Sequence, residues 1–376
     1  MAGIAAWATA IPMWRLQRAM LGTAWDTPAL PGERAVAAGD QDSLTLGAEA
    51  ALGCVADAEQ VDAIFFATTT PPYAEKHAAA TIAGVLDRFD VRTSDITGSI
   101  RSGTSALRAA IDAVDSGTVR AALVVVADMR PAEPATASEQ LFGDAAAALL
   151  VTQDGPVRVL GAASIAEETA GPWRRSRDDY VRNFDAKFET EFGYARSIET
   201  AARKALEQAG ISADAITRFA AYAPDPRTFV TTAKRIGLGQ VKDPLFTSVG
   251  NLGAAHAIVS LAHALDEAAA GEHIVVAAAG EGADAIVLSK TTDPAHAGQT
   301  VAEQIARKRI LPTYERYVRF RRLIPSEDPD PSRSSRRWQS ASNSPNRSAC
   351  SRNSARKLAA STVEPGKSRR SSPSPP

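Results

Sequence analysis

Short apolar runs alternate with longer Ala-rich stretches along most of the chain. AIFFAT (63–68), AALVVVA (121–127), AAALLVT (146–152), HIVVAA (273–278) and AIVLS (285–289) are rich in β-branched and aromatic residues. They lack strict polar alternation, which predicts strands covered on both faces. Segments 43–56, 76–88, 104–116, 194–209, 228–237 and 253–270 have helical periodicity, several closed by glycine at Gly117, Gly210, Gly237 or Gly271. Helix and strand recur in a similar order on either side of a polar insertion from Glu167 to Phe192. The pattern predicts an α/β chain with an internal duplication: one half over residues 1–165, a second over 166–300 and a C-terminal extension over 301–325. Residues 326–376 are different in kind, crowded with Ser, Arg and Pro. So little apolar content does not offset the entropy of ordering a backbone, and disorder is expected there. A basic contact to RNA or acidic partners, and an out-of-frame end in place of a folded module, are the other readings of that tail.

Composition sharpens this picture. A chain of 376 residues that is 45% apolar can build a large core. Lys and Arg total 42 against 43 Asp and Glu, a formal net charge of -1, so whole-chain charge gives no attraction to nucleic acid or to a membrane surface. Two cysteines, Cys54 and Cys350, supply neither a disulfide framework nor a zinc cluster, and no metal site is expected. The N-terminus MAGIAAWATAIPMWRL has no basic region followed by a sustained apolar core. No segment offers the ~20 apolar residues of a membrane span. A reducing, cytoplasmic setting follows as the expectation.

The candidate chemistry lies in DITGSIRSGTSALRAAIDAVDSG (95–117), where a strand ends, turns through Gly and Ser, and enters a helix near Gly103. Free N–H groups and the partial positive charge at such a helix start favour a thiolate or a developing oxyanion. An ordinary strand-to-helix turn has the same appearance. The surrounding segments carry more. GIAAWATAIPMWRL (3–16), GERAVAAGDQDSLTLGAEAA (32–51), PPYAEKHAAATIAGVL (71–86), FGDAAAALLV (142–151) and SVGNLGAAHAIVSLAHALDEA (248–268) resemble the thiolase superfamily, in particular ketoacyl synthase III and hydroxymethylglutaryl-CoA synthase. The insertion GPWRRSRDDYVRNFDAKFETEFGY (171–194), the turn AGEGADAIVLS (279–289) and PTYERYVRF (312–320) resemble the archaeal-type members of the latter group. The resemblance covers residues 3 to 324. It implies a five-layer αβαβα thiolase-like fold with two pseudo-duplicated halves, a homodimer formed through the N-terminal halves, and a coenzyme A thioester as substrate with no bound cofactor.

The same resemblance implies a nucleophilic Cys, a His and an Asn, with a Glu acid/base in the synthases. Ungapped alignment puts Ile100 at the nucleophile position, where only its backbone N–H is chemically useful, since an alkyl group cannot attack a thioester. The His position falls among Ala223, Pro224 and Asp225, and the Glu position at or beside Thr69. Asn251 alone matches. Ser99 and Ser102 are displaced along the backbone from the nucleophile position, so capping is the expected role for both. What remains is an oxyanion hole from the Ile100 N–H and a loop N–H near Gly282, with Glu281 either a loop acid/base or a loop carboxylate facing solvent. Lys234 and Arg235 at a helix end are candidates for the CoA phosphates or simply a solvated helix end, and Arg174 and Arg175 are similar candidates for which a solvated surface is the favoured reading. Tyr73 and Tyr222 are expected to pack, His256 and His263 to sit satisfied on one helix, Cys54 to be a small buried apolar group, and Asp144 to hold a turn. Two functions fit. One is an acyl-CoA enzyme making or breaking a carbon–carbon bond without an acyl-Cys intermediate. The other is a non-catalytic acyl-CoA-binding or scaffold subunit of a thiolase complex with an OB-fold partner protein.

Overall fold

The computed structural model describes residues 1–56, 60–239, 241, 243, 245–294 and 298–324. The expectations for residues 326–376 lie outside the described residues. Met1–Ile324 packs as one compact unit. Its strands are β1 (Ala2–Ala10), β2 (Trp14–Gln17), β3 (Glu33–Val36), β4 (Ala63–Thr68), β5 (Arg92–Thr97), β6 (Ala121–Met129), β7 (Asp144–Gln153), β8 (Val157–Ala166), β9 (Ile216–Ala221), β10 (His273–Ala279), β11 (Gly282–Lys290) and β12 (Arg309–Ile310). Its helices are α1 (Arg18–Trp25), α2 (Ser43–Cys54), α3 (Ala78–Val85), α4 (Ser102–Asp115), α5 (Ala137–Leu141), α6 (Ala186–Phe188), α7 (Arg196–Ala209), α8 (Pro226–Ile236), α9 (His256–Glu267), α10 (Val301–Ala306) and α11 (Tyr314–Phe320). Between α6 and α7 the chain continues as a wide π-type turn, Glu189–Ala195. No helix among the described residues is long and apolar enough to cross a membrane.

The strand order β5-β4-β6-β7-β1-β8-β11-β10-β9 contains the duplication. In the first repeat β1 runs antiparallel to β7, β7 antiparallel to β6, and β6 parallel to β4. In the second, β8 runs antiparallel to β11, β11 antiparallel to β10, and β10 parallel to β9. The second repeat starts with β8 at Val157, ahead of the division expected at 166. The repeats join where β1 meets β8 at Gly3↔Arg158 and Ile4↔Val157. Helices α4 and α9 each touch strands of both repeats, so the sheet folds over them. Outside, α2 and α3 cover the first repeat and α7 the second, with α8 packed beside α7. Helix, sheet, helix, sheet, helix are the five layers.

Side-chain alternation explains why the strands read as continuous apolar runs. In β6, Ala122, Val124 and Val126 face the inner core around α4 and α9, while Ala121, Leu123, Val125 and Ala127 face the outer core under α2. Each Val or Leu so buried contributes roughly 1.5–3 kcal/mol, and both faces must be apolar. In β1, a register shift between Ile4 and Ala6 moves the strand from one core to the other, so Ile4 packs inward and Ala6 outward despite their equal parity. Helix α7 buries Ile198, Ala201, Ala202, Ala205 and Leu206, the single stripe of a surface helix. Residues 301–320 close the unit: β12 pairs with β2, and Tyr317 of α11 packs with Leu16, Leu21, Val36 and Leu311.

Cys54 ends α2 in the outer core, fully buried, and burial pushes its thiol up to about 12. The native protein is therefore expected to leave Cys54 unmodified by a thiol reagent at about pH 8, since the thiolate is the reactive form. Peptide mapping should find the label at Cys54 only after unfolding, and its modification in the folded protein would contradict this packing.

Candidate active site

The turn into α4 and the turn between β10 and β11 meet where the two repeats face each other. A Cβ on Gly280 would stand 3.3 Å from the backbone nitrogens of both Ile100 and Arg101, so these turns touch backbone to backbone. The Ile100 N–H, just before the first turn of α4, donates to no protein acceptor among the described residues. That free donor is the residue of chemistry at the start of a helix. The Ile100 side chain is buried and forms a shared wall of two cavities, of about 120 and 100 Å³. Arg130, Pro172, Gly280 and Glu281 line both. The first also takes in Tyr194, Tyr222 and Asn251, the second Ser99, Thr69, Thr70 and Arg174.

The frame of this site is one carboxylate. Asp128, at the end of β6 and fully buried, accepts from Thr68 Oγ1 (3.0 Å), Thr69 N (2.7 Å), Thr69 Oγ1 (2.9 Å), Thr70 Oγ1 (3.2 Å) and Ala254 N (2.7 Å). It thereby ties the end of β4 to the short turn before α9. Gly253 is needed there, because a Cβ would collide with the Asp128 carboxylate. The Thr69 hydroxyl, at the position where the resemblance implies a Glu, is thus already bound.

Asn251 lines the first cavity, 1% exposed. Its backbone is stitched to the loop before β7 by Asn251 N to Leu141 O (2.8 Å) and Gly143 N to Asn251 O (2.8 Å). Its Nδ2 donates to the carbonyls of Ala223 (2.9 Å) and Pro224 (3.4 Å), and its Oδ1 accepts from Gly253 N (3.1 Å). The amide is committed to holding the loop that lacks the imidazole. Tyr194 donates to Tyr222 O (2.5 Å), and burial, with the neighbouring Tyr222, Asp243 and Asp225, raises its phenol well above the ordinary value, so it stays a donor.

Glu281 is exposed, with a left-handed backbone (φ 49°), and accepts a hydrogen bond from Ser99 Oγ at 2.9 Å. Ser99 therefore faces the second cavity rather than capping the helix, which corrects the expectation from its place in the sequence. The turn is so tight that Ser99 Oγ also reaches the Gly280 carbonyl, at 3.1 Å. Ser102, the first residue of α4, accepts from Ser99 N at 3.3 Å, and no side chain caps the start of this helix, so the capping expectation fails for both serines. Gly282 lies in the ladder opposite Ala166, off both cavities, whereas Gly280 and Glu281 line them.

The expected phosphate cations lie elsewhere. Arg235 is paired with Glu191 (2.7 Å) and Glu199 (3.0 Å), Lys234 is exposed at the end of α8, and neither lines either of these two cavities. Arg175 is held by Asp178, while Arg174 lines the second cavity and donates to Thr69 O at 3.1 Å. Tyr73 is exposed. His256 sits behind Tyr222, accepting from Leu252 N. Asp243, 3.6 Å from that imidazole, is pushed up by burial but held below the ordinary range by His256 and the N–H groups of Leu245 and Phe246. Asp144 pairs with Arg321 and accepts from Ala37 N. Among the described residues no group of three or more His, Cys, Asp or Glu is placed to hold a metal ion.

A family model for 3-oxoacyl-[acyl-carrier-protein] synthase III matches residues 94–167. Hydroxymethylglutaryl-CoA synthase of Aeropyrum pernix is 32% identical over 345 residues, covering 85% of this chain and 94% of that protein. The enzyme of the same name from Pyrococcus furiosus is 30% identical over 335 residues, covering 86% and 93%. The chain belongs to the hydroxymethylglutaryl-CoA synthase family. The fold is that of the thiolase superfamily. A solved hydroxymethylglutaryl-CoA synthase complexed with CoA superposes with a TM-score of 0.74 at 18% identity, covering 88% of this chain and 92% of that one. 3-Oxoacyl-(acyl carrier protein) synthase III of Pseudomonas aeruginosa gives 0.70 at 21%, covering 78% and 99%. The positions that the resemblance implies for Cys, Glu and His fall in this chain at Ile100, at or beside Thr69, and among Ala223, Pro224 and Asp225. Two residues of the site, Asp128 and Arg130, lie just past the predicted strand 121–127. Charged residues directly after an apolar strand, at its C-terminal edge, are the signal that would have found them.

Replacing Asp128 with Asn keeps one acceptor oxygen and puts an amide NH2 group in place of the other, where it faces either the three donors to Oδ1 or the two donors to Oδ2. Unfolding in urea is expected to show a loss of about 2–3 kcal/mol. A change within about 0.5 kcal/mol, the usual span for surface positions, would mean that this carboxylate does not frame the site.

Proposed function

We propose that this protein handles acyl-CoA thioesters and makes or breaks a carbon–carbon bond beside the thioester carbonyl, with the acyl group staying on coenzyme A. The observation that carries this reading is that Glu281 and Ile100, whose N–H has no protein acceptor among the described residues, line the same two cavities. Glu281 takes a proton from the carbon next to the thioester carbonyl, and the Ile100 N–H binds the enolate oxygen. The enolate carbon attacks the carbonyl of a second substrate, the new bond forms, and Glu281 returns the proton to the resulting alkoxide. Cleavage is the same sequence reversed. No C–S bond breaks, so no protein nucleophile is required, consistent with an alkyl side chain at Ile100. Relatives solved with CoA or 3-hydroxy-3-methylglutaryl coenzyme A support the substrate class. A homodimer fits the same reading: β5 pairs only with β4 and leaves an open edge on the first repeat, which a second copy can cover. Sedimentation as a monomer would remove that part.

The second reading is a non-catalytic acyl-CoA-binding or scaffold subunit of a complex of a thiolase and an OB-fold protein. It is favoured by the commitment of the Asn251 amide and the Thr69 hydroxyl to structural bonds. Proton exchange separates the two. With acetyl-CoA in deuterated buffer, the enzyme reading expects protein-dependent deuterium incorporation at the methyl carbon, slowed by roughly 10²–10⁴-fold in Glu281→Gln. Binding of acetyl-CoA without any exchange would overturn the enzyme and leave the scaffold.

A further inference from the structure

We propose that the C-terminal extension completes the site: Tyr314 is a positioning residue that holds the α5 wall of the first cavity through the buried carboxylate of Glu139. Only the choice of ligand that probes this wall rests on the acyl-CoA reading above. Helix α5 (Ala137–Leu141) has five residues and no side-chain cap at its start, too little to hold its own shape. It nevertheless carries Ser138 and Leu141 on the cavity, with Phe142 directly after. Glu139, between them, lies off the cavity and is 1% exposed. Its Oε2 accepts from Trp25 Nε1 (3.1 Å) and Ala135 N (2.9 Å), and its Oε1 accepts from the Tyr314 hydroxyl (2.7 Å). Three separate segments, the end of α1, the turn before α5 and the start of α11, thus converge on one carboxylate.

Packing sets the place of the Tyr314 hydroxyl, since its ring meets Trp25 edge-on at 5.7 Å and Tyr317 at 5.6 Å. Burial and Glu139 raise its phenol above the ordinary value, so it stays a donor. Among the described residues no other donor reaches Glu139 Oε1. A buried carboxylate oxygen left empty is costly. Without the hydroxyl, Glu139 turns toward water and the short helix moves with it. The extension meets the same stretch of chain at two more points. Tyr317 lies under Arg34, which donates to the Phe142 carbonyl, and Arg321 donates to Asp144 (2.8 Å) and to Arg130 O (3.4 Å). From the inner side, Asn251 N donates to Leu141 O and Asn251 O accepts from Gly143 N. The cavity wall is therefore a thin layer clasped between Asn251 and α11, and PTYERYVRF, which supplies no side chain to either cavity, acts from behind it.

Hydrogen exchange read by mass spectrometry tests the positioning without any ligand. Tyr314→Phe, which keeps the ring, is expected to speed exchange at the amides of residues 135–143 about 10-fold, with β6 and α9 unchanged. Unchanged exchange over 135–143 overturns the proposal. Calorimetric titration of the full chain with acetyl-CoA tests the consequence for the site. Tyr314→Phe is expected to bind about 5- to 10-fold more weakly than the wild type, and Glu139→Ala to lose at least as much. Adding Tyr314→Phe to Glu139→Ala should then change nothing further. Glu139→Gln, whose carbonyl and amide serve the same three partners, should recover most of the affinity. Ile82→Val, which trims the outer core at α3, is expected to lower stability and leave affinity unchanged. Equal affinity in the wild type and Tyr314→Phe, or equal losses in Tyr314→Phe and Ile82→Val, overturns the proposal while leaving the acyl-CoA reading intact. If the wild type binds neither CoA nor acetyl-CoA, the acyl-CoA reading falls and the exchange rates alone decide the role of Tyr314.

Discussion

The arrangement of this site depends on a single buried carboxylate. Asp128 collects hydrogen bonds from three consecutive threonines of the first repeat and from a backbone N–H of the second. An ionised group in the interior is tolerable only when its oxygens are satisfied, and here both are. The consequence is positional. The end of β4, the start of α9 and the loop carrying Asn251 hold fixed places around the meeting of Ile100 and Gly280. Two cavities open beside that meeting, with Ile100 as a shared wall.

The same frame accounts for the state of the positions named by resemblance. Asn251 keeps its place and bonds its amide to the backbone of Ala223 and Pro224. Thr69 gives its hydroxyl to Asp128. Ile100 offers no side-chain chemistry but keeps its N–H free. Glu281 and Arg130 are charged residues that line both cavities. Neither cavity is lined by a cysteine, the one described cysteine, Cys54, being buried at the end of α2.

Much of the fold was legible in the sequence because strands with both faces buried must be apolar throughout. β4, β6, β7, β10 and β11 were visible as Val, Ile and Phe runs, and α2, α4, α7, α8 and α9 as periodic segments ended within a few residues of a turn. β1 and β8 were not, since AGIAAWATA and VRVLGAASIA owe their strand conformation to pairing with each other and with β7 and β11, not to their own propensity. The site was legible where a motif fixed the register, as at Ile100, Asn251 and Glu281. It was obscure where only three-dimensional packing decides. Nothing in one dimension tells that Ser99 bends toward Glu281, that Arg235 is absorbed by two glutamates of the insertion and α7, or that Arg130 lines both cavities with its guanidinium over the Phe142 ring.

The central claim is that the thioester carbonyl is worked on while still attached to coenzyme A. Intact-protein mass spectrometry of samples quenched during turnover with an isotopically labelled acyl-CoA addresses it directly. The account predicts an unshifted protein mass at every time point. A mass increase equal to the labelled acyl group, mapped to Ser99 or to any other side chain of the two cavities, would contradict it.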